Sequence, residues 1–338
     1  MPINPSQIVH PGTLSTSQSA AGTGTAYASD AYGPTLFVNS VTGQAGNSGL
    51  TPANPLATME AAFALLETWQ AADAGSSSNA TIYVSGDVRE QLTAPLGVFG
   101  VKIKGLVGGN PRNTTADGVV LPGNGVAWRA PASPTAGVPL LTLREQGWEI
   151  HDLLFYTKAS IASVRLRCDE VAGSYPDASH AKFKNVRFMS ESALGTPIGT
   201  GIGDYGGAYN VSVENCQFIN LEYAIHGENY SIRTPLMWRL SGENIFQLNK
   251  NDILTNASGW VIQGQPQFMT VYHGTTHPNT LNLADTGTGT YPNRITNAIF
   301  AEAIADITVA KGYKPGNAAD VWRYYASATA AFSVTTPT

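Results

Sequence analysis

The chain has 338 residues and a formal charge of −5, and only 13% of its residues are charged, about half of the usual ~25%. No basic stripe is available to neutralise phosphates, so nucleic acid is excluded as the main partner, and few side chains are left for acid–base chemistry. Neither a positively charged apolar leader nor an apolar run long enough to cross a bilayer is present, so no membrane partner is expected.

In chain order, residues 1–34 are dominated by Ser, Thr, Ala and Gly. Such a segment cannot bury enough apolar surface to order itself. It reads as a flexible arm, with Ile3, Ile8, Val9 and Pro11 as hooks for an anchoring partner. Residues 35–75 open with the short strand Leu36-Phe37-Val38-Asn39. A Gly-rich loop and the step Pro55-Leu56-Ala57-Thr58 follow. Met59, Ala62, Phe63 and Leu66 then fall at i, i+3, i+4 and i+7, one apolar helical face. Thr58 is placed to cap that helix, and Glu60 suits its N-terminal dipole.

Residues 76–265 carry a loose internal repeat. Ile150-His151-Asp152-Leu153-Leu154-Phe155, Phe183-Lys184-Asn185-Val186-Arg187-Phe188 and Val213-Glu214-Asn215-Cys216-Gln217-Phe218 share apolar first, fourth and sixth positions and an Asp or Asn at the third. Alternation in a strand points the first residue inward. Asp and Asn tolerate left-handed backbone and so suit a bend at which the inward register resumes. Stacked coils would then align Phe155, Phe188 and Phe218 in one column and Ile150, Phe183 and Val213 in a second. A ladder of Asp152, Asn185 and Asn215 would mark the corner, each coil burying its neighbours' apolar face. Strands at 81–86, 101–106, 140–143 and 164–168 fit the same scheme, with 237–246 a further turn in a slipped register. Cys216 takes an inward position as a small buried group and not as a disulfide partner of Cys168. The Gly-rich run 199–207 reads as a turn between coils. Beyond residue 265 the pattern fades. Helical spacing at 297–304 and 318–325 predicts a small C-terminal module over 266–338.

The strand, Gly-rich loop, Pro-Leu-Ala-Thr step and amphipathic helix resemble the opening of pectate-lyase-like right-handed parallel β-helix proteins. The resemblance implies an all-β solenoid over roughly 35–265 whose first coil is covered by the helix. The arm, capping helix and few charges further resemble bacteriophage tailspikes and capsid-decorating spikes. That resemblance implies a homotrimeric structural protein on the virion surface, docked on a phage capsid or tail protein through residues 1–34 and binding a host surface polysaccharide.

Glycan-cutting enzymes use paired carboxylates. The outward positions His151, Lys184 and Glu214, and then Leu154, Arg187 and Gln217, hold no aligned pair. The loop acids that could converge are Asp169, Glu170, Asp177, Asp204 and Glu228; of these Asp169, Glu170, Asp204 and Glu228, with Glu214, are the catalytic candidates for the alternative, a polysaccharide lyase or hydrolase acting as a tailspike depolymerase. A bacterial surface adhesin is a third reading. The calcium cluster and Arg-Xaa-Pro-Xaa-Xaa-Arg segment of pectate lyases are missing, so that family's activity does not carry over. His273 and His277 lie in a Gly- and Pro-bounded loop, so no metal and no cofactor are expected. Tyr175, Tyr205 and Tyr209 are the glycan-binding candidates, with Tyr223 and Tyr230 nearby, because a tyrosine offers a flat apolar ring and one hydroxyl.

Overall fold

The computed structural model describes residues 33–106, 126–168, 177–228, 237–242 and 244–255, and the backbone of short strands at 261–264, 267–269, 283–285, 294–295, 299–300 and 323–324. Residues 1–32, and with them nearly all of the expected arm, lie outside this set. The described strands form three all-parallel sheets of nine, seven and nine strands, and each sheet takes one strand from each successive coil. Parallel neighbours demand a crossover, which is right-handed almost without exception. The protein is a right-handed parallel β-helix.

Register follows the repeat. In the first sheet Ile150, Phe183, Val213 and Leu240 are directly paired. In the second, Trp128, Phe155, Phe188, Phe218 and Phe246 are paired. Their rings stack at centroid separations of 5.7, 5.5, 4.9 and 4.8 Å, tilted by no more than 19°. All nine of these side chains are essentially buried. Backbone pairing carries the second column on through Phe268 to Phe300. Leu240 and Phe246 are six residues apart where the three preceding coils use five. The expected slip is therefore absorbed by one extra corner residue, and the pairing is unbroken.

The corner ladder forms as its chemistry requires. Asp152, Asn185 and Asn215 have φ of 56°, 54° and 53°. Each donates its backbone N–H to the next coil, at Lys184 O, Glu214 O and Ser241 O. Asn185 Nδ2 donates to Asp152 Oδ1 at 2.9 Å. Gly242 ends the ladder: its φ is 71°, and a Cβ there would sit 2.1 Å from Asn215 Oδ1. Buried asparagines bind the neighbouring corners. Asn244 Oδ1 accepts from Cys216 N, and Asn249 Oδ1 accepts from Leu221 N.

The helix Met59–Ala72 buries Met59, Ala62, Phe63 and Leu66, and Thr58 Oγ1 accepts from Ala61 N at 3.1 Å. A second cap comes from far along the chain: Glu90 accepts from Met59 N and Glu60 N through its two oxygens. The strand Thr35–Asn39 pairs in full register with Thr81–Ser85, so coiling begins one strand earlier than the sequence suggested.

Three other expectations change. The segment Thr200–Tyr205 is a six-residue strand of the third sheet, not a turn. Gly201 sits in it because a Cβ would lie 2.5 Å from Ala224 O and 3.0 Å from the Phe218 ring. Leu154 and Arg187 do point away from the shaft, yet both are buried, with Tyr156, Met189 and Ile219 beside them. Arg187 Nε donates to Gln217 Oε1, and burial lowers its guanidinium to about 10. Parallel pairing runs past residue 265, and the described backbone at Ile299–Phe300 and Arg323–Tyr324 is strand, not helix. An Ile-Phe pair satisfies a helical stripe and an inward-outward alternation alike, so that pattern did not discriminate. The expectation for the cysteines holds: both are buried and not joined in a disulfide, and burial pushes the Cys216 thiol up to about 12.

Two stability changes are expected in urea unfolding. Phe218→Ala should cost about 3–5 kcal/mol, since it opens a gap between two stacked rings. Asn185→Ala and Asn185→Gly both lose the bond to Asp152, but Ala also meets the left-handed backbone penalty of about 1–2 kcal/mol. Equal losses for the two variants would contradict the ladder's conformational role.

Candidate functional site

The outward face of the third sheet gathers the most unusual chemistry. Its strands Ala162–Arg167, Thr200–Tyr205 and Tyr223–Gly227 pair so that Arg165, Gly203 and His226 are neighbours, as are Arg167 and Tyr205. Alternation turns Val164, Ile202 and Ile225 into the core, where all three are buried, and Arg165 and His226 outward. Glu228 follows the third strand, and its backbone N–H donates to Asp204 O at 2.7 Å. Its carboxylate folds back over Gly203, where a Cβ would stand 2.6 Å from Glu228 Oε1. Glycine at 203 is thus what lets the acid lie on the sheet.

Arg165 Nη2 meets Glu228 Oε2 at 3.1 Å and Oε1 at 3.3 Å. The guanidinium also stands 5.9 Å from the Tyr205 ring centroid. Arg165 Nε is buried and has no hydrogen-bond partner among the described residues. Tyr223 and His226 stack with centroids 4.4 Å apart and planes 21° apart. Burial raises the Glu228 carboxyl above its ordinary range, opposed by Arg165. Burial also lowers the His226 imidazole to about 4, with Arg165 adding to the effect and Glu222 opposing it. At neutral pH the imidazole is therefore neutral, and it shares the face with two tyrosine rings and the Arg165–Glu228 contact.

The sequence candidates scatter. Glu228 and Tyr205 come together here. Asp204, one residue from Tyr205, points the other way: it is fully buried and accepts from Ala208 N at 2.9 Å, so it is an inward strand residue and not a surface acid. Tyr209 is exposed on the following corner, edge-on to His180 at 5.0 Å. Glu214 belongs to the first sheet, where Lys184 Nζ pairs with it at 2.8 Å and holds its carboxyl below the ordinary range. Asp169, Glu170 and Tyr175 lie outside the described residues. Among the described residues no group of His, Cys, Asp and Glu could hold a metal ion. Arg165 and His226 were missed. Their signal is an outward position one residue after each of the inward Val164 and Ile225, concealed because the glycines of the intervening strand favour a turn.

No protein-family model matches the chain, and no curated protein matches it. Among solved structures the chain is similar to pectate lyase Pel9A, with 9% identity over 89% of this chain and 82% of that one, at a TM-score of 0.38. At that level nothing of that protein's substrate or mechanism is transferred.

His226 makes a pH prediction. Unfolded, its imidazole takes up a proton near pH 6.5; folded, it resists protonation to about 4. Between these values the unfolded chain binds more protons, so His226's contribution is complete above about pH 6.5 and is lost as pH falls toward 4. The loss is on the order of 3 kcal/mol at most. Urea unfolding of the wild type and His226→Gln should show their difference changing within that window and flat above it. Glu228 titrates in both proteins and cancels. A pH-independent difference would refute the assignment.

Proposed function

We propose that this β-helix is the shaft of a bacteriophage virion spike, a tailspike or head decoration, which assembles as a homotrimer and binds a host surface polysaccharide across its third sheet. The observation that carries glycan binding is the Arg165–Glu228 pair lying on Gly203 between Tyr205 and the Tyr223–His226 stack. Sugars present hydroxyls that both donate and accept, together with apolar C–H faces. An arginine supplies fixed donors, a carboxylate supplies acceptors and a neutral imidazole supplies one of each, while aromatic rings match the C–H faces. The virion setting is supported by the low charge and the Ser/Thr/Gly-rich residues 1–34, the segment proposed to dock on the capsid or tail.

One observation favours the second reading, a depolymerase. Glu228, with its carboxyl raised by burial, has the character of a general acid. Glycoside hydrolysis needs a second carboxylate roughly 5–10 Å away. Among the candidates that are described, Asp204 faces the core and Glu214 stands on another sheet. Binding without cleavage is therefore the reading preferred.

The test incubates the purified protein with host-derived polysaccharide, measuring affinity by calorimetry and scoring new reducing ends and unsaturated products. Binding without product is expected, weakened at least tenfold by Arg165→Met or Tyr205→Ala. Product that disappears in Glu228→Gln would establish the depolymerase instead. Light scattering should give three chains per particle; a monomer at micromolar concentration would sink the spike assignment.

A further inference from the structure

The first sheet's outward face carries charges in a pattern that the binding site on the third sheet does not use. Successive strands there are Lys102–Gly105, Glu149–His151, Lys182–Lys184, Ser212–Glu214 and Trp238–Ser241, paired in register. Inward residues alternate out of view, and the face shows Lys102 and Lys104, then Glu149 and His151, then Lys182 and Lys184, then Ser212 and Glu214, then Arg239 and Ser241. Cations occupy every second strand, and the acids occupy the strands between. Strands lie about 4.8 Å apart, so the cationic strands recur at about 9.5 Å along the shaft.

The acids neutralise part of this set. Lys102 Nζ lies 3.7 Å from Glu149 Oε2, and Lys184 Nζ lies 2.8 Å from Glu214 Oε1. His151 Nε2 is 2.9 Å from Glu149 Oε2. Glu149 is held below the ordinary carboxylate range, by His151 foremost and then by Lys102 and Lys182. Lys104, Lys182 and Arg239 remain, one per cationic strand, with no carboxylate in ion-pair contact among the described residues. Lys104 and Lys182 are half-buried and Arg239 is exposed. A purely structural ion ladder would balance its charges; this one leaves one cation over at each 9.5 Å step, in a chain whose total charge is −5.

We propose that this face binds a linear anionic polysaccharide, with about one carboxylate or sulfate per two sugars, lying along the shaft across the strands. Duplex DNA fits poorly, because each strand advances only about 3.4 Å per phosphate along the axis. The interleaved Glu149 and Glu214 would repel charges at that density, but they fall between the charges of a sparser polymer. A rigid column of stacked strands holds the three cations at fixed spacing, so their ordering cost is met before the ligand arrives.

The probes are hyaluronan (one carboxylate per disaccharide), keratan sulfate (sulfate in place of carboxylate), neutral dextran and duplex DNA of matched length. Binding of hyaluronan, of keratan sulfate or of both, weakening as salt rises, is expected, and which one binds names the anion. The triple variant Lys104→Gln/Lys182→Gln/Arg239→Gln should bind roughly tenfold more weakly, as three surface ion contacts imply. Lys158→Gln and Lys250→Gln, on other parts of the surface, should leave affinity unchanged. Lys182→Gln alone serves if the triple variant melts early. Arg165→Met must not weaken this binding, which separates the strip from the third-sheet site. No anionic glycan bound, dextran or DNA bound as tightly, or a well-folded triple variant with unchanged affinity would each overturn the proposal.

Discussion

Burial of each coil depends on the coil on either side of it. An inward ring such as Phe188 is out of water only because Phe155 and Phe218 lie flat against it. The backbone that carries it is satisfied only by hydrogen bonds to the same two neighbours. Stability in such a solenoid is a sum of adjacent interfaces, so register is the quantity everything else serves. A slip of one residue would turn the whole inward set outward.

The corners protect that register. Asp152, Asn185 and Asn215 adopt a backbone that most residues resist, and each hands its N–H to the next coil. Where a corner lengthens, as between Leu240 and Phe246, Asn244 ties the added chain back through Val213 O and Ser241 O. The helix Met59–Ala72 covers the shaft's end, and Glu90 clamps the helix start from the first coils. A rigid shaft also makes its faces into rulers: whatever is placed outward recurs at the strand spacing, so charges and rings line up without any loop having to be ordered.

The three sheets put that geometry to different uses. The first carries alternating charge, and the second buries its outer positions around Arg187 and Tyr156. The third concentrates a buried acid, a neutral imidazole and aromatic rings around a glycine gap. One composition low in charge thus yields two chemically distinct outer faces, because few ionisable residues are needed when a repeat places them side by side.

Local period made the fold legible. Phe155, Phe188 and Phe218 recur at near-constant intervals, and Asp or Asn at the bend has a physical reason to be there, so the β-helix, its aromatic column and its corner ladder follow from the residues. The capping helix was equally plain, because its stripe and N-cap lie within a dozen residues. The site was not. Arg165 meets Glu228 across 63 residues, and the third-sheet strands are separated by intervals that vary with every corner, so no spacing announces that Arg165, Gly203 and His226 are neighbours. The same limit hid the direction of Asp204: only the pairing of Thr200–Tyr205 between two other strands decides that it faces inward while Tyr205 and Glu228 share the outside. Sequence by itself determined which residues stack; tertiary structure alone decided which outward residues meet, since that depends on corner lengths summed around each coil.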